Sequence, residues 1–342
     1  RRAGRKNKMK NSNNLIVVFF FLVAFMITGC ENKIATGEVD EPTMGKKKIA
    51  VDESFKPVFE ELEKQFESLY PNAKLTIIYA PESKVIDLLL KDSVPVIFIA
   101  RDLTASEKAI IEKKGIAQRT TPVAYDGVAM LVNKNNKMSV MSLDGLERIF
   151  TGKAFSFDEL QDDLPKQEFS LVFENSLAGT VNFFAGRYGQ GFTSAKNVYD
   201  AKSPKELIEY VANNADAIGF LSSIYVYDDS DTNKTTFIKD VKVLDLEVPD
   251  SLDVPEKAVG PYQYFVAHRY DPSEDTKKYP PLYALVRTVT SINYEGRAGL
   301  GQGFTAYVAG ELGQRTVLRF GLVPARMPLR IIQISNENIQ IK

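Results

Sequence analysis

The sequence predicts an α/β fold of two lobes with a ligand cleft between them. Strand-like segments alternate with helix-like segments along most of the chain, which is typical of parallel βαβ units. The predicted strands change partners near residues 125–128 and again near residues 259–264, so we expect two lobes joined by two crossovers. The 342 residues are 44% hydrophobic and 25% charged, a balance that fits a globular chain of two domains.

The first residues have the pattern of a secretory signal. A basic segment is followed by the nearly uninterrupted apolar run of residues 15–27, and small residues close this run. A run of this length is typical of a signal peptide, which we place at residues 1–29, with Met9 favoured over Arg1 as the start. An uncleaved anchor helix is the alternative.

Cys30 follows the small residues directly and is the only cysteine of the chain. Its position resembles that of the lipidated cysteine in the lipobox of bacterial lipoproteins. The polar residues 30–45 would then form a tether between the lipid and the folded body. We therefore expect a lipid-anchored protein of the cell envelope that faces the periplasm or the exterior.

The composition disfavours several classes of function. The formal charge of −1 gives no indication of a nucleic-acid partner. With Cys30 lipidated, no cysteine is left for a disulfide, a thiolate metal site or a thiol nucleophile. His268 is the only histidine, and it lies in an alternating, strand-like run, so we interpret it as structural. We expect neither a metal nor a cofactor.

The first lobe is predicted from three strand–helix units. KKIAV is a strand, and the helix after it has apolar residues at helical spacing, with Ser54 as the expected N-cap and Pro57 in the first turn. The unit recurs in LTIIY with KVIDLLL, and in VPVIFIA with TASEKAIIEKKG. In the last of these helices Thr104 and Glu107 form a capping box. We assign residues 46–124 and 259–334 to this lobe.

The second lobe, at residues 125–258, is predicted from a further alternating series. Its strands are AMLVN, FSLVF and AIGFL, and its helices are SLDGLERIF, TVNFFAGRY and SPKELIEYVAN. Phe183, Phe184 and Tyr188 have helical spacing and are most simply core residues. After this lobe we interpret YQYFVAH as a returning strand, and both LYALVRTVTSI and GFTAYVAGELGQRTVLRFG as closing helices.

Three predicted strand-to-helix junctions place a hydroxyl at a helix N-terminus, namely Ser54, Ser83 and Thr180. Free N–H groups and the positive end of the helix dipole meet at such junctions, so an anion is the expected guest. In open α/β sheets these junctions gather at the carboxyl ends of strands, where ligands bind. The alternative is that each hydroxyl only caps its helix.

Between about residues 46 and 324 the chain contains an ordered set of segments, namely Ser54-Phe55, Ser83, AYDGVAMLVN, IFTGK, AGTVNFF, DAIGFL, YPPLYALVRTV, GLGQGF and ELGQRTVLRFGLVP. This set resembles the periplasmic phosphate-binding proteins of ABC importers, the Pst type. The resemblance implies the class II solute-binding fold, with two lobes around an interlobe cleft. It also implies a monomer without catalytic activity that delivers its ligand to an ABC permease.

The same resemblance implies a set of ligand-binding positions. In the family these are a hydroxyl with the next backbone amide, a serine in the second loop, an Asp or Arg after the third strand, an arginine, and a Ser-Gly-Thr turn. The corresponding residues here are Ser54, Phe55, Ser83, Arg101, Glu174, Ala178, Gly179 and Thr180. Glu174 stands where the family has arginine, unless that arginine is absent from this loop, and Ala178 stands where the family has serine, so the true ligand stays open.

Charge at this site has more than one interpretation. Asp52 or Glu174 would accept a hydrogen bond from a protonated oxyanion, which sulfate at neutral pH could not offer. Alternatively, both carboxylates point to solvent or cap a helix. Arg101 would then supply the positive charge, as a guanidinium that can fork two oxyanion oxygens. Alternatively, Arg101 forms only a surface ion pair with Asp102 or Glu107.

These residues favour a lipid-anchored solute-binding protein that captures phosphate or a similar small oxyanion for an ABC importer. One alternative is a surface lipoprotein that keeps the fold but has an altered or lost ligand. A phosphatase-like enzyme is less favoured, because hydrolysis usually needs a metal cluster or an activated nucleophile, and His268 with no spare cysteine leaves few candidates.

Replacement of Cys30 by serine should release the protein from the membrane, because the lipid could no longer be attached. Membrane fractionation and mass spectrometry of the mature N-terminus would measure this. A Cys30→Ser protein that stays in the membrane fraction with its signal segment intact would instead support the uncleaved anchor helix.

Overall fold

A computed structural model of the protein describes residues 40–115, 117–250, 254–267 and 281–326. Cys30 and His268 lie outside the described residues, as do the predicted signal segment, most of the tether and the last residues assigned to lobe one.

The strands of the described part differ in length, and the longest of them has 15 residues. In chain order they are β1 Asp40–Glu41, β2 Met44–Asp52, β3 Ala73–Ala80, β4 Val96–Ile99, β5 Arg119–Asn133, β6 Val140–Met141, β7 Ser170–Phe173, β8 Val198–Asp200, β9 Ala217–Ser222, β10 Val241–Val243, β11 Asp245–Glu247, β12 Ala258–Val259, β13 Val286–Asn293 and β14 Val323–Pro324.

The helices lie between these strands and cover both faces of the sheet. In chain order they are α1 Lys56–Leu69, α2 Glu82–Leu90, α3 Ala105–Glu112, α4 Leu143–Phe150, α5 Phe157–Leu160, α6 Gly179–Tyr188, α7 Pro204–Asn213, α8 Gln263–Ala267, α9 Leu300–Ala309 and α10 Glu311–Arg319. Short 3₁₀ turns occur at Glu53–Phe55, Gln190–Ser194 and Ser223–Tyr225.

Strand β5 connects the two lobes. Its first part, residues 119–127, pairs with β13 in the sheet of lobe one, and its second part, residues 128–132, pairs with β9 in the sheet of lobe two. The strand order along the main path is β1-β2-β4-β13-β5-β9-β7-β8, with β3 beside β2 and with β10 and β14 beside β5. The assignment of residues to lobes beyond these pairings stays a prediction.

The parallel strands define where a ligand site can form. In lobe one β2 pairs in parallel with β3 and β4, and in lobe two β7 pairs in parallel with β8 and β9. Strand β2 ends at Asp52 and β7 ends at Phe173, and each is followed by a turn into a helix. Ligands of α/β sheets bind at such carboxyl ends.

The core of lobe one is built around α1. Val58, Phe59, Leu62 and Phe66 recur at helical spacing and are all buried against the sheet. The rings of Phe59 and Phe98 are 4.7 Å apart between centroids, which joins the helix to β4. Each such side chain contributes about 1.5–3 kcal/mol by leaving water, so this face fixes the helix to the sheet.

Lobe two has a core rich in phenylalanine. Phe150, Phe173, Phe184 and Phe220 come from α4, β7, α6 and β9, and their rings are in mutual contact. Phe183 and Tyr188 are partly buried and pack against this cluster. The interpretation of these helix aromatics as core residues is therefore confirmed, and α6 is anchored by its apolar face.

Most predicted elements of both lobes are confirmed, but two in the return segment are wrong. LYALVRTVTSI contains strand β13 instead of a helix, because its β-branched residues favour an extended chain and β4 and β5 pair with it on both sides. YQYFVAH contains helix α8 instead of a strand. There Val266 packs into the core of lobe two, and Gln263 Nε2 donates to the carbonyl oxygens of Leu318 and Leu322.

Within the described ranges, none of the helices is both long enough and apolar enough to cross a membrane.

Gly303 should be essential for the packing of α9 on the β1–β2 turn. A Cβ added at Gly303 would lie 1.7 Å from the carbonyl oxygen of Pro42, so the backbone would have to shift. We expect Gly303→Ala to lower the free energy of unfolding by about 1–3 kcal/mol, measured by urea denaturation.

Gly186 in α6 offers a matched control, because a Cβ there would meet no atom within 4 Å. Gly186→Ala should leave the stability unchanged or raise it by about 0.5–1 kcal/mol, since alanine is the better helix former. Equal stability of Gly303→Ala and the wild type would contradict the packing described for α9.

Candidate functional site

The candidate site lies where the first residue of α6 meets side chains of lobe one. A Cβ placed on Gly179 would be 2.6 Å from Asp52 Oδ2, 2.9 Å from Arg287 Nη1 and 3.2 Å from Glu82 Oε1. These side chains belong to β2, β13 and α2, so three elements converge on one helix N-terminus. Only glycine leaves room for this approach.

Arg287 is the buried cation of the site. Its Nη2 and Nε donate to Asp126 Oδ2 over 2.6 and 3.1 Å, and its guanidinium lies 5.4 Å from the centre of the Phe55 ring. Burial works against the charge, but Asp126 and Asp52 raise the pKa of Arg287 above its ordinary value. Its Nη1 has no hydrogen-bond partner among the described residues.

Asp126 lies directly opposite Arg287, on the neighbouring strand β5. Its Oδ1 accepts from Ser222 Oγ over 2.7 Å, while its Oδ2 is taken by the guanidinium. Burial raises the pKa of Asp126, and Arg287 opposes this shift. Both oxygens are therefore engaged, and Asp126 serves to hold Arg287 in place.

Asp52 and Ser54 come from the turn after β2. Asp52 Oδ1 accepts from the backbone N–H of Ser54 over 3.0 Å, whereas Asp52 Oδ2 and Ser54 Oγ are buried without a partner in the described structure. Burial, followed by the nearby Glu82, raises the pKa of Asp52 well above its usual range. Two polar atoms of this turn are thus available to a ligand.

Glu174 and Thr180 face each other across the turn between β7 and α6. Thr180 Oγ1 donates to Glu174 Oε2 over 2.9 Å, and both residues are buried. The other oxygen, Glu174 Oε1, lacks a partner among the described residues. Burial raises the pKa of Glu174 to about 7, although Arg287 and the bond from Thr180 lower it.

Hydrogen bonds join the two lobes around this cluster. Asn182 Nδ2 in α6 donates to Glu82 Oε2 over 2.8 Å and to Ser83 Oγ over 3.1 Å, and the backbone N–H of Ser83 donates to the carbonyl oxygen of Leu177 over 3.3 Å. On the other side Asn175 Nδ2 donates to Glu53 Oε1 over 2.7 Å. The cleft is closed over the buried atoms.

Arg101 is engaged at the rim of the site. Its two terminal nitrogens each lie 2.8 Å from an oxygen of Glu107, and its Nε lies 3.5 Å from Glu82 Oε2. Glu107 also caps α3 together with Thr104, as the sequence predicted. The structure thus contains one of the ion pairs considered for Arg101, and its role toward a ligand stays a prediction.

None of the three predicted hydroxyls caps its helix with its side chain. Helices α1, α2 and α6 have Phe55, Pro81 and Ala178 at the N-cap, without a side-chain hydrogen bond. The expectation that Ser54 is the N-cap of α1 is therefore wrong, because the 3₁₀ turn at Glu53–Phe55 precedes the helix and Asp52 caps that turn. Plain capping does not explain these hydroxyls.

The structure brings most of the predicted site residues together. Asp52, Ser54, Phe55, Glu174, Gly179 and Thr180 are all buried, and Ser83 is half-buried. Asp52 approaches Gly179, and Glu174 accepts a hydrogen bond from Thr180. Neither carboxylate points to solvent. Sequence reasoning missed Glu82, Asp126 and Arg287. Arg287 could have been noticed as a lone charge among β-branched residues, which in a strand signals a buried partner.

The cluster offers an unusual set of contacts. The open atoms are one guanidinium nitrogen, one hydroxyl and two carboxylate oxygens. Two of them, Arg287 Nη1 and Asp52 Oδ2, lie next to the N-terminus of the ten-residue helix α6. A guanidinium nitrogen and a helix N-terminus favour an anion, whereas carboxylates accept hydrogen bonds and favour a ligand that carries hydrogens. Among the residues described, no group of three or more His, Cys, Asp or Glu side chains could hold a metal ion.

The fold and this site define a two-lobed α/β binding protein with its ligand position between the lobes. The family model of the PBP superfamily domain matches residues 36–311, and the chain belongs to this family.

Individual relatives are more distant. The phosphate-binding protein PstS of Staphylococcus haemolyticus is 24% identical over 192 residues, which cover 54% of this chain and 58% of the relative. PstS of Staphylococcus aureus strain USA300 is 24% identical over 190 residues, which cover 54% of this chain and 56% of the relative. The matched region thus spans little more than half the length of these relatives.

Solved structures show the same fold. A Clostridium perfringens protein solved with bound phosphate has a TM-score of 0.62 at 21% identity, over 82% of this chain and 99% of that chain. A Vibrio cholerae ABC-type phosphate transport receptor has a TM-score of 0.59 at 20% identity, over 82% of this chain and 100% of that chain. These likenesses support the class II binding-protein fold expected from the sequence.

The raised pKa of Glu174 predicts a pH-dependent stability of the ligand-free protein. The pKa is about 7 in the folded protein against an ordinary value of 4.5, so the folded state keeps a proton that the unfolded chain releases. Stability should therefore fall as the pH rises from about 4.5 to about 7 and stay low above that range.

Urea denaturation at a series of pH values would measure this. Glu174→Gln should remove a part of the decline on the order of 3 kcal/mol, while the exposed Glu168→Gln serves as the control and should keep the wild-type profile. A Glu174→Gln protein with the full wild-type decline would place the titrating group elsewhere.

Proposed function

We propose that this protein is the solute-binding component of an ABC importer and captures phosphate or a similar small oxyanion between its lobes. The observation that carries the proposal is the approach of the buried Arg287 Nη1 to the N-terminus of α6 at Gly179. This nitrogen and the buried hydroxyl of Ser54, in the turn after β2, have no partner in the described part. A charged donor, a hydroxyl and a helix N-terminus form a suitable oxyanion site.

The relatives supply the second line of support. The curated relatives are named as phosphate-binding proteins, and one structural neighbour holds phosphate. These names come from proteins that share a quarter or less of the aligned residues with this chain, so the ligand and the permease partner are part of the proposal. Binding proteins of this kind need no catalytic activity, and we propose no catalysed reaction here.

The membrane attachment belongs to the same proposal. A binding protein that serves a permease works best when it is held near the membrane, because tethering raises its local concentration. Lipid at Cys30, followed by a polar tether, would provide this attachment, with the folded protein acting as a monomer in the periplasm or at the exterior.

A second candidate follows from the carboxylates. Asp52 and Glu174 both direct an open oxygen into the buried site, and fully ionised carboxylates repel an anion. This observation favours a binding protein of the same fold whose ligand differs from phosphate or has been lost. A thermal-shift and calorimetry screen with phosphate, sulfate, molybdate and phosphonates separates the two candidates.

We expect one oxyanion of this panel, with phosphate first, to stabilise the protein by about 2.7 kcal/mol at a hundred times its dissociation constant. Gly179→Ala should abolish that stabilisation, because the added methyl group would occupy the space shared by Asp52 Oδ2 and Arg287 Nη1. Gly186→Ala is the control on the same helix and should bind like the wild type.

The Arg101→Ala variant tests whether Arg287 or Arg101 compensates the charge of the ligand. If Arg287 compensates the ligand, Arg101→Ala should change the dissociation constant by less than about threefold, because Glu107 already engages Arg101. A tenfold to hundredfold loss would instead support the sequence-based assignment of Arg101 as the residue that forks the ligand. If no oxyanion stabilises the folded wild-type protein, the binding of oxyanions is excluded.

A further inference from the structure

A second cavity lies between elements of the two lobes, and its lining contains none of the residues described above for the candidate site. Its volume is about 380 Å³, which is within the range of small-molecule sites. One wall contains Pro57 of α1 and Phe320 at the end of α10, two helices that pack on the sheet of lobe one. The other wall contains Tyr225, Tyr227 and Lys234, which follow β9 of lobe two.

The loop that contains Lys234 directs this side chain into the cavity. Asp231 organises the loop, because its Oδ2 accepts from the backbone N–H groups of Thr235 and Thr236 and its Oδ1 from that of Asn233. Lys234 has a φ of 54°, a left-handed conformation that is uncommon for a residue other than glycine. Its side chain is only 14% exposed. A conformation of this kind at a buried lysine indicates a function for the residue.

The ammonium group of Lys234 has a weak partner in the described structure. Its Nζ lies 3.8 Å from Asp229 Oδ1, which is too long for a hydrogen bond, and the Asp229 side chain is fully exposed. The second cation of the lining, Arg319, is mostly exposed and donates to Glu61 over 3.0 Å. An anionic group that enters the cavity would therefore pair with Lys234, where little water screens the contact.

The other lining residues are mainly apolar or aromatic. The hydroxyl of Tyr225 donates to the carbonyl oxygen of Glu53 over 3.3 Å, and that of Tyr227 to the carbonyl oxygen of Pro261 over 2.9 Å. Because both hydroxyls are engaged, the tyrosines offer their rings to a ligand. Further apolar surface comes from Pro57, Ile224, Ile238 and Phe320. A flat, apolar body matches this lining, since aromatic rings pack well against one another.

The cavity is connected to the candidate site through Glu53. This residue lies between Asp52 and Ser54 in the turn after β2. Its carbonyl oxygen accepts from Tyr225, which lines the cavity, and its Oε1 accepts from Asn175 in the turn before α6. A ligand held between the two walls would keep them together. It would therefore favour the same closed arrangement that brings α6 to the residues of lobe one.

We propose that this cavity is a second ligand site, which binds a small aromatic carboxylate with its charged group on Lys234 and its ring among Tyr225, Tyr227 and Phe320. Because both lobes line the cavity, its ligand stabilises the closed arrangement and strengthens binding at Gly179. This coupling rests on the oxyanion binding proposed above, whereas the second site does not. By linkage, each ligand raises the affinity for the other by the same factor.

Calorimetry of the wild-type protein with benzoate, phenylacetate and cinnamate tests the site. We expect at least one of them to bind with a dissociation constant below about 1 mM, and the corresponding uncharged amide to bind at least about tenfold more weakly. Lys234→Met should weaken the binding of the carboxylate about tenfold to hundredfold, because it removes the charge and keeps an apolar side chain. The exposed Lys239→Met is the control and should bind like the wild type. Circular dichroism would show that each variant is folded.

Gly179→Ala separates this cavity from the candidate site. Gly179 does not line the cavity, so this variant should keep the wild-type affinity for the carboxylate. The coupling is measured by titration of phosphate with and without a saturating concentration of the same carboxylate. We expect the carboxylate to lower the dissociation constant of phosphate by about fivefold or more in the wild type, and to leave it unchanged in Lys234→Met.

The outcomes distinguish the second site from the function proposed above. If none of the three carboxylates binds to the wild type, or if Lys234→Met binds them equally well, the second site is overturned. Carboxylate binding that depends on Lys234 but leaves the affinity for phosphate unchanged would overturn the coupling alone. A wild-type protein that binds a carboxylate and no oxyanion would overturn the proposed function and the coupling, and the second site would stand.

Discussion

The buried ion pair between Arg287 and Asp126 is the interaction on which the site depends. The two residues are direct neighbours on β13 and β5, the strands that run together at the junction of the lobes. Because Asp126 takes Nε and Nη2, the guanidinium can turn only its remaining nitrogen toward Gly179. A buried pair of this kind stabilises little by itself, but removal of one partner leaves an uncompensated charge. Its value lies in fixing the direction of one donor.

Much of the fold could be predicted because its pattern is local. The α1 helix and the capping box of α3 follow from residues a few positions apart, and βαβ alternation predicts the parallel sheets. Strand β13 was missed because its partners β4 and β5 are distant in sequence and override a local apolar spacing. Helix α8 was missed because its contacts also come from distant residues, as in the hydrogen bonds from Gln263 to Leu318 and Leu322.

The candidate site also has residues that could be predicted from the sequence and residues that could not. Residues that follow a strand directly, such as Asp52, Ser54, Glu174 and Thr180, could be identified from position alone, since ligands bind at the carboxyl ends of strands. Arg287 could not be assigned once β13 was taken for a helix, because its partner Asp126 lies 161 positions away. Arg101 follows the third strand, as the sequence predicted. Its hydrogen bonds to Glu107 depend on a distance between the two side chains that the sequence alone does not give.

Closure of the lobes depends on the balance between the hydrogen bonds that join the lobes and the buried polar atoms that have no partner. The hydrogen bonds from Asn182 and Asn175 that join the lobes each contribute about 0.5–1.5 kcal/mol. Against them stand the open oxygens of Asp52 and Glu174, since a buried polar atom without a partner costs about 1–3 kcal/mol and more when it is charged. The cost of the open oxygens is at least as large as the gain from these bonds, so the bonds alone do not hold the cleft shut. A ligand that forms hydrogen bonds with both the open oxygens and Arg287 would stabilise the closed arrangement. A partner could then recognise the ligand-bound protein by its closed lobes.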